Sequence, residues 1–253
     1  MIQVENLTFA YGHSAPIFSG FDWTVQSGEA WAVLGQSGCG KSTLLSLLAG
    51  LAQPGAGRIL VEGKPLTRPR PYTGLIIQDY GLLPWATVRE NVELGLRVRR
   101  FYGPDDIHTP LEFKPAPVDP WLDRLGLGEI AERYPARISG GQRQRAAIAR
   151  TLVLQPDLLL MDEPFSSLDA PTREGLQNLM LELWAEQTLT LVIVTHTIEE
   201  AAVLGQKILV LGERPNTRPL VVDNPGAARP DFRSSDEYLA MCRELRQKLQ
   251  ATL

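Results

Sequence analysis

The sequence predicts an α/β fold, in which a mostly parallel sheet flanked by helices is joined to an antiparallel β subdomain and interrupted by an inserted α-helical subdomain. Three observations support this class. Strand-like segments alternate with turns over roughly the first sixty residues, and short continuous apolar runs typical of buried parallel strands recur after residue 157. Helical periodicity dominates between about residues 85 and 154.

Length and composition describe a globular chain. Dividing 253 residues by about 150 per domain gives roughly 1.7. The 25 Lys+Arg against 29 Asp+Glu leave a net charge of −4, which argues against a nucleic-acid partner. Two cysteines cannot form a disulfide framework, no signal-peptide pattern opens the chain, and no apolar run approaches the ~18 residues of a membrane span. We expect a cytosolic chain that does not cross a bilayer by itself.

The N-terminal part predicts β-structure with one short helix. Apolar residues alternate or run continuously between Gly, Ser and Pro, which favours strands. The predicted strands are Ile2–Phe9, Phe18–Val25, Ala30–Gly35 and 57–62. The predicted helix covers 41–49.

The middle of the chain predicts helices around an irregular segment. Thr87 and Glu90 have the spacing of a capping box, in which each side chain bonds the other residue's backbone amide. Prolines crowd residues 101–120, so we expect an irregular excursion there. Helical patterns resume over 120–125 and 139–154.

In the second half, buried strands alternate with helices. The predicted strands cover 157–162, 189–195 and Lys207–Leu211, and the predicted helices cover 171–187 and 197–204. Thr197 and Glu200 form a second capping-box pattern, and Gly205 can end the helix that it opens.

The C-terminal residues predict a linker and a final helix. Prolines and arginines in 212–233 indicate the linker. An amphipathic helix follows over 234–253, with Leu239, Cys242, Leu245 and Leu249 on its apolar side.

A phosphate-loop pattern lies between the strand Ala30–Gly35 and the helix after it. Its residues are Gly35, Gln36, Ser37, Gly38, Cys39, Gly40, Lys41 and Ser42. Glycines let backbone amides turn toward phosphate oxygens, Lys41 would bridge the β- and γ-phosphates, and Ser42 would ligate Mg²⁺. Thr43 could cap the α-phosphate. The alternative is a plain glycine-rich turn, but the strand and helix context favours a P-loop NTPase core that binds ATP and Mg²⁺.

Two acids follow the apolar run that ends at Met161. Asp162 suits the Mg²⁺ shell and Glu163 can hold an attacking water, although acids at a strand end are often only solvated turn residues. Asp162 lies 121 positions beyond Lys41 (162 − 41), which indicates that chain is inserted between the two motifs.

A second helix N-terminus carries a hydroxyl and small residues. Ser139, Gly140, Gly141 and Gln142 open the helical pattern 139–154. Free amides at such a terminus favour anions, so this is a candidate anion site, and the simpler alternative is that Ser139 only caps the helix.

Taken together, these motifs resemble the ATP-binding subunit of an ABC transporter. Ile138 to Gln142 is similar to that family's signature, with Ile in the place usually held by Leu. Gln78 after an apolar strand resembles the Q-loop glutamine, and Ser167, Leu168 and Asp169 match the D-loop. His196 matches the switch histidine, and Tyr11 the aromatic residue on which adenine stacks.

The resemblance implies a head-to-tail dimer in which each ATP lies between one subunit's phosphate loop and the other's signature helix. It implies that Glu163 is the base or orients the water, that His196 contacts the γ-phosphate, and that Asp169 acts across the dimer. Gln78 would couple Mg²⁺ and water to movement of the helical subdomain.

It also implies one ABC ATPase domain over 1–253. The nucleotide-binding core with its β subdomain would occupy 1–84 and 155–212, the helical subdomain with the signature 85–154, and a linker and amphipathic helix 213–253.

The stretches 78–85, 87–92 and 195–201 resemble the nitrate, sulfonate and taurine import subfamily, and the prolines of 102–120 depart from it. The implied partners are an integral membrane permease and, indirectly, a periplasmic or extracellular solute-binding protein. The subunit would lie on the cytoplasmic face of the inner membrane, with 78–85 as the docking loop unless that loop packs internally. The alternative is a soluble ABC ATPase of an assembly process such as iron-sulfur cluster biogenesis.

Overall fold

The computed structural model describes residues 1–102, 117–186, 189–229 and 231–252. Its strands are β1 (Ile2–Phe9), β2 (Phe18–Val25), β3 (Ala30–Gly35), β4 (Ala56–Val61), β5 (Lys64–Pro65), β6 (Thr73–Ile76), β7 (Leu158–Asp162), β8 (Thr190–Thr195), β9 (Lys207–Leu211) and β10 (Leu220–Asp223). Its α-helices are α1 (Lys41–Leu48), α2 (Val88–Tyr102), α3 (Asp119–Arg124), α4 (Gly140–Leu152), α5 (Ala170–Glu186), α6 (Ile198–Leu204) and α7 (Asp236–Ala251).

A six-stranded sheet forms the centre, with the strand order β10-β9-β3-β8-β7-β6. The pairs from β9 to β6 are parallel, and β10 is antiparallel to β9 at the edge. Every residue of β3 and β8 is buried, which explains their continuous apolar runs, because helices cover both faces of such a sheet. The carboxyl ends of β3, β6, β7 and β8 therefore meet at one edge.

A second sheet is antiparallel, with the order β2-β1-β4-β5. Its inner face shares one apolar cluster with α1 and with one face of the central sheet, including the fully buried Leu7, Phe21 and Leu44. The two sheets thus enclose α1, the helix that follows the phosphate loop. The predicted α/β class with an antiparallel β part is confirmed.

The helices between β6 and β7 pack on the other face of the central sheet. Val88, Val92 and Leu96 of α2 are buried in the same cluster as the alanines of α4. The predicted capping box is present: Glu90 N donates to Thr87 Oγ1 and Thr87 N donates to a Glu90 carboxylate oxygen.

Four expectations are wrong. Helix α2 continues to Tyr102, past the predicted break at 101, because the first proline of that segment comes only at 104. The rest of the predicted excursion, 103–116, lies outside the described residues. The predicted linker contains β10, whose Val222 packs under α7. The other two errors concern Thr197, which makes no side-chain cap, and Leu239, whose side chain is 54% exposed.

Among the described residues, no helix is long and apolar enough to cross a membrane.

Candidate nucleotide-binding site

The turn between β3 and α1 requires glycine at specific positions. A Cβ on Gly35 would lie 2.6 Å from Cys39 Sγ and 2.8 Å from the Leu211 carbonyl oxygen. Gly38 and Gly40 have φ values of 82° and 120°, in the region that side chains disfavour. The phosphate-loop pattern is thus explained locally by backbone geometry, and the same geometry leaves the amides free to face an anion.

Lys41 begins α1 and is held inside the turn. Its ammonium donates to the carbonyl oxygens of Gly35, at 2.8 Å, and Gln36, at 2.9 Å, and the side chain is only 5% exposed. An ammonium has three donors, so one N–H remains for a ligand in the cavity that Lys41 lines.

This cavity has a volume of about 310 Å³. Its phosphate-loop lining consists of Ser37, Gly38, Gly40, Lys41, Ser42 and Thr43. Three residues from distant parts of the chain complete it, namely Gln78 after β6, Glu163 after β7 and Arg214 after β9. The structure therefore brings together the predicted phosphate loop, Q-loop glutamine and acidic strand end.

Asp162 and Ser42 meet at the floor of the site. Ser42 Oγ donates to Asp162 Oδ1 at 3.1 Å. Burial raises the pKa of the Asp162 carboxyl, the Ser42 hydrogen bond opposes that rise, and the charge of Glu163 adds to it. A partly buried carboxylate beside a second one is a place where a cation is stabilising.

The donor set fits Mg²⁺. Ser42, Asp162 and Gln78 offer the hard oxygen ligands that this ion prefers. Among the described residues no cluster of three or more His, Cys, Asp or Glu could hold a metal by itself. Mg²⁺ ordinarily takes one or two carboxylates, with waters and substrate phosphates completing its shell, so a sparse protein donor set agrees with this ion.

Glu163 and His196 form a contact across neighbouring strands. His196 Nδ1 lies 3.0 Å from Glu163 Oε2, and the Glu163 side chain is 20% exposed. The Glu163 backbone has φ 45°, and its N–H donates to the Val194 carbonyl of β8 at 2.9 Å. A non-glycine residue in this conformation costs about 1 kcal/mol or more, and such strain clusters at functional sites. The backbone hydrogen bond to Val194 of β8 therefore holds the Glu163 carboxylate at the wall of the cavity.

Tyr11 lies beside Thr43, a residue in the first turn of α1. Its hydroxyl is 3.5 Å from Thr43 Oγ1, and its ring packs edge-on against Phe9, with the ring centroids 4.9 Å apart. The Tyr11 side chain is 54% exposed, so a ring face remains available for stacking.

The predicted signature and D-loop residues do not line this cavity. Ser139 caps α4: its hydroxyl accepts from Gln142 N, and Gln142 Oε1 accepts from Ser139 N. A Cβ on Gly140 would lie 3.7 Å from Leu168 Cδ2, so the helix N-terminus lies beside the D-loop. Gly141 lies against Thr172 of α5.

Asp169 of the predicted D-loop immediately precedes α5. Its carboxylate accepts from Thr172 N at 3.1 Å, and this backbone hydrogen bond holds the pKa of the Asp169 carboxyl below its ordinary value. Tyr80, two residues after Gln78, is hydrogen-bonded through its hydroxyl to Ser167 Oγ at 2.5 Å. The Q-loop and D-loop are therefore in contact within one chain.

Gln36 and Cys39 line a neighbouring cavity beside Arg214 and Thr252. Burial raises the pKa of the Cys39 thiol, and the charges of Lys41 and Arg214 oppose that rise. Because burial prevails, Cys39 lacks the lowered pKa of a reactive thiol and acts as a small core residue.

Sequence reasoning missed several residues that hold the site. Arg214 and the buried Asn216 lie in the predicted linker, and the sequence pattern assigns the buried Glu200 to a capping box with Thr197. No motif marks any of them. Their roles depend on which distant backbone groups they meet, and only the fold supplies that information.

Comparison with known proteins identifies relatives over most of the chain. A family model described as ABC transporter matches residues 18–166. The nitrate import ATP-binding protein NrtD of Synechocystis sp. is 41% identical over 204 residues, 80% of this chain and 74% of that protein. The aliphatic sulfonates import ATP-binding protein SsuB of Pseudomonas putida is 39% identical over 236 residues, 93% and 81% of the two chains. The bicarbonate transport ATP-binding protein CmpC of Synechococcus elongatus is 40% identical over 223 residues, but this chain spans only 32% of that protein.

Two solved structures share the fold. The dimeric post-hydrolysis state of the ATP-binding cassette MJ0796 bound to ADP and Pi superposes with a TM-score of 0.74 at 27% identity, covering 88% of this chain and 98% of that one. The cbiO1 structure from Clostridium perfringens, part of the transporter complex cbiONQ, gives 0.75 at 28% identity, covering 99% and 96%.

Proposed function

Because the chain belongs to the ABC transporter family and is one of its ATPases, we propose that it is the motor subunit of an importer, in which ATP-driven dimerisation is coupled to uptake of a small solute. Four relatives or neighbours carry transport in their printed names or titles, and none of those four is named as an assembly factor. This favours the importer over an ATPase of iron-sulfur cluster biogenesis.

One observation carries the proposal. Lys41 after β3, Glu163 after β7 and His196 after β8 converge at the same edge of a parallel sheet. In open α/β sheets, ligands bind at the carboxyl ends of the strands. A phosphate cradle, a carboxylate and an imidazole at one such edge suit phosphoryl transfer to water.

The position of each site residue suits one role in ATP binding or hydrolysis. The loop amides and Lys41 hold the phosphates of ATP, and Glu163 orients or deprotonates the attacking water. His196 contacts the γ-phosphate and fixes the Glu163 carboxylate through their 3.0 Å contact. When bound, Mg²⁺ supplies neutralisation of phosphate charge, and Ser42, Asp162 and Gln78 would hold it.

The active unit is a homodimer. Ser139 to Gln142 form a helix N-terminus suited to an anion, yet they lie beside the D-loop and outside their own phosphate-loop cavity. A second subunit placed head to tail brings that terminus, and Asp169, to the ATP held by the first. The dimeric ADP- and Pi-bound neighbour supports this arrangement.

The permease docks beside the Q-loop. Trp85 is 73% exposed and Ile77 44% exposed on the loop that follows β6, whereas Leu82 packs inward. The neighbouring groove between the edge strand β6 and helices α2 and α4 has a volume of about 490 Å³, and the exposed Val98 lies on its rim. An exposed apolar loop beside an apolar groove suits a helix from a membrane partner.

The same comparisons support a proposal for the transported solute and for the location of the subunit. The printed names of relatives favour a small anion of the nitrate or sulfonate kind, delivered by an extracytoplasmic binding protein. The subunit lies at the cytoplasmic face of the membrane and is attached through the permease.

The test is Glu163→Gln in the full chain with MgATP. The amide cannot act as a base but preserves the shape of the site, so ATP turnover should fall about 10³-fold or more while ATP binding persists. The trapped ATP should then produce a stable dimer, measured by size-exclusion chromatography with light scattering.

Lys41→Ala is the matched control. It should lose nucleotide affinity and remain monomeric with or without ATP. A Glu163→Gln protein that stays monomeric at saturating MgATP would contradict the shared site, and one that hydrolyses ATP at the wild-type rate would contradict the role of Glu163.

A further inference from the structure

The connection between β9 and β10 adds an arginine to the phosphate-loop cavity. Arg214 lines that cavity together with Ser37, Lys41 and Glu163. It also lines the adjoining cavity beside Gln36. Strand β9 pairs with β3, so its carboxyl end lies directly beside the start of the phosphate loop.

A buried asparagine attaches this connection to the loop. Asn216 Nδ2 donates to the Cys39 carbonyl oxygen at 2.8 Å and to the Ile17 carbonyl oxygen at 3.3 Å, while its Oδ1 accepts from Gly212 N at 3.1 Å. Asn216 is 6% exposed. Gly212 lies two positions before Arg214 and Asn216 two positions after it. Their hydrogen bonds therefore fix the backbone position of Arg214 relative to the phosphate loop.

The charge of Arg214 has no ion-pair partner among the described residues. Across the described residues, no hydrogen bond or ion pair engages its guanidinium, which is exposed to solvent. The other charged groups that line or floor the cavity are Lys41, Asp162 and Glu163. Lys41 already bonds two carbonyl oxygens and the two acids are negative, so Arg214 is the uncommitted cation of this set.

We propose that Arg214 contacts the phosphate chain of the bound nucleotide, as a second protein cation beside Lys41. The assignment rests on the proposed function, since it requires that the cavity takes ATP. A guanidinium offers five donors in a planar fork that suits phosphate oxygens, and a phosphate chain in this cavity would supply acceptors for them, as it would for the loop amides and the remaining Lys41 N–H.

The expected size of the effect follows from exposure. An exposed charge contact in high dielectric is worth little, and a charge-assisted contact to phosphate is worth more. Loss of Arg214 should therefore weaken MgATP binding by about 3- to 10-fold, well short of the loss expected for Lys41→Ala. Salt screens exposed pairs, so the difference should shrink below about 2-fold at 0.5 M salt.

The experiment compares three variants of the full chain by titration with a fluorescent MgATP analogue at 0.05 and 0.5 M salt. Arg214→Gln removes the charge, Arg214→Lys keeps it, and Arg218→Gln removes an exposed arginine of the same connection that does not line the cavity. We expect weaker binding for Arg214→Gln at low salt, at least partial recovery for Arg214→Lys, and wild-type affinity for Arg218→Gln.

Two results would overturn the assignment. One is wild-type affinity in Arg214→Gln at low salt, and the other is an equal loss in Arg218→Gln, which would indicate a general surface-charge effect. Lys41→Ala in the same titration separates this outcome from failure of the proposed function. If Lys41→Ala binds MgATP normally, the cavity is not the nucleotide site, whereas a loss in Lys41→Ala alone rejects only Arg214.

Discussion

At the scale of single residues, a sequence reveals residues that belong to a local motif more readily than residues whose role depends on distant packing contacts. Gly38, Gly40 and Lys41 could be placed from the sequence because their spacing answers a local backbone requirement. Asn216 could not, because its partners Ile17 and Cys39 are 199 and 177 positions away. An asparagine in a proline-containing turn has the same local pattern whether or not it is buried.

Asn216→Ala should lower both stability and nucleotide affinity. The change leaves the Cys39 carbonyl and the Gly212 amide without their side-chain partner in a buried region, which costs about 1–3 kcal/mol of unfolding free energy. Because the same bonds attach the connection to the phosphate loop, MgATP affinity should fall about 3-fold. Urea unfolding and nucleotide titration measure the two effects.

Asn224→Ala is the matched control. Asn224 is 1% exposed and donates to the carbonyl oxygens of Ala202 and Gly205, far along the chain from the phosphate loop. It should lose similar stability and keep wild-type nucleotide affinity. Equal affinity losses in the two variants would show that general destabilisation, and not attachment of the loop, weakens binding.

At the scale of elements, helix α6 shows how tertiary contacts override a local pattern. Thr197 and Glu200 have capping-box spacing, but Glu200 accepts from Thr195 Oγ1 at 2.6 Å, and the same hydroxyl accepts from Thr197 N at 3.0 Å. His196, the predicted switch residue, lies between these two threonines in the chain. The Glu200 carboxylate, which the sequence pattern assigns to a helix cap, instead fixes the backbone on both sides of His196.

The same carboxylate reaches the D-loop. Arg173 Nε lies 3.8 Å from Glu200 Oε1, and its guanidinium also donates to the Leu168 carbonyl oxygen at 2.7 Å. A buried side chain therefore joins the loop that carries His196 to the loop that carries Asp169. The sequence does not reveal that these two loops are neighbours, because 27 positions separate Arg173 from Glu200 (200 − 173).

Glu200 should make stability depend on pH. Burial raises the pKa of its carboxyl, and the Thr195 hydrogen bond and the charge of Arg173 only partly oppose that rise. The folded-state pKa thus lies above the unfolded one, so the contribution to stability is full below the ordinary value of 4.5 and is lost as pH rises through the folded pKa. Glu200→Gln lacks this loss. Its unfolding free energy, measured in urea relative to wild type, should therefore increase as pH rises above about 4.5.

The neighbouring Glu199 provides the comparison for that pH series. Its side chain is 55% exposed, and it lies on the same helix. Glu199→Gln should differ from wild type by a nearly constant amount over the same range. A flat difference for Glu200→Gln, or a slope of the opposite sign, would reject the pKa direction assigned to the buried carboxylate.

At the scale of the whole molecule, the site could be predicted because parallel strands gather distant motifs. Lys41, Gln78, Glu163 and His196 follow β3, β6, β7 and β8, and these strands end at one edge of the central sheet. The strand order was not available from the sequence, yet any parallel arrangement of those strands puts their ends together. The edge strand β10 and the region around Arg214 were missed because their short segment lacks a clear periodicity.

The surface beside the Q-loop joins this site to the proposed membrane partner. Arg150 of α4 donates to the carbonyl oxygens of Tyr80 and Gly81, and burial lowers the pKa of its guanidinium. It also lines the groove between β6 and the helices. The partly buried Arg150 guanidinium thus holds the loop that carries Trp85 against α4, whose N-terminus is the predicted signature. Movement at the docking surface can therefore be transmitted to α4.

Trp85→Ala should detach the chain from its membrane partner without changing its own chemistry. Trp85 is 73% exposed, so its removal should change the unfolding free energy by no more than about 0.5 kcal/mol and leave the ATPase rate of the isolated chain unchanged. Exposed tryptophans at interfaces often carry 2 kcal/mol or more of binding energy, so the fraction of the chain retained on salt-washed host membranes should fall about 30-fold.

Leu51→Ala, at a 62% exposed leucine after α1, is the control and should be retained like wild type. Retention of Trp85→Ala at the wild-type level would show that the loop after β6 is not the docking surface.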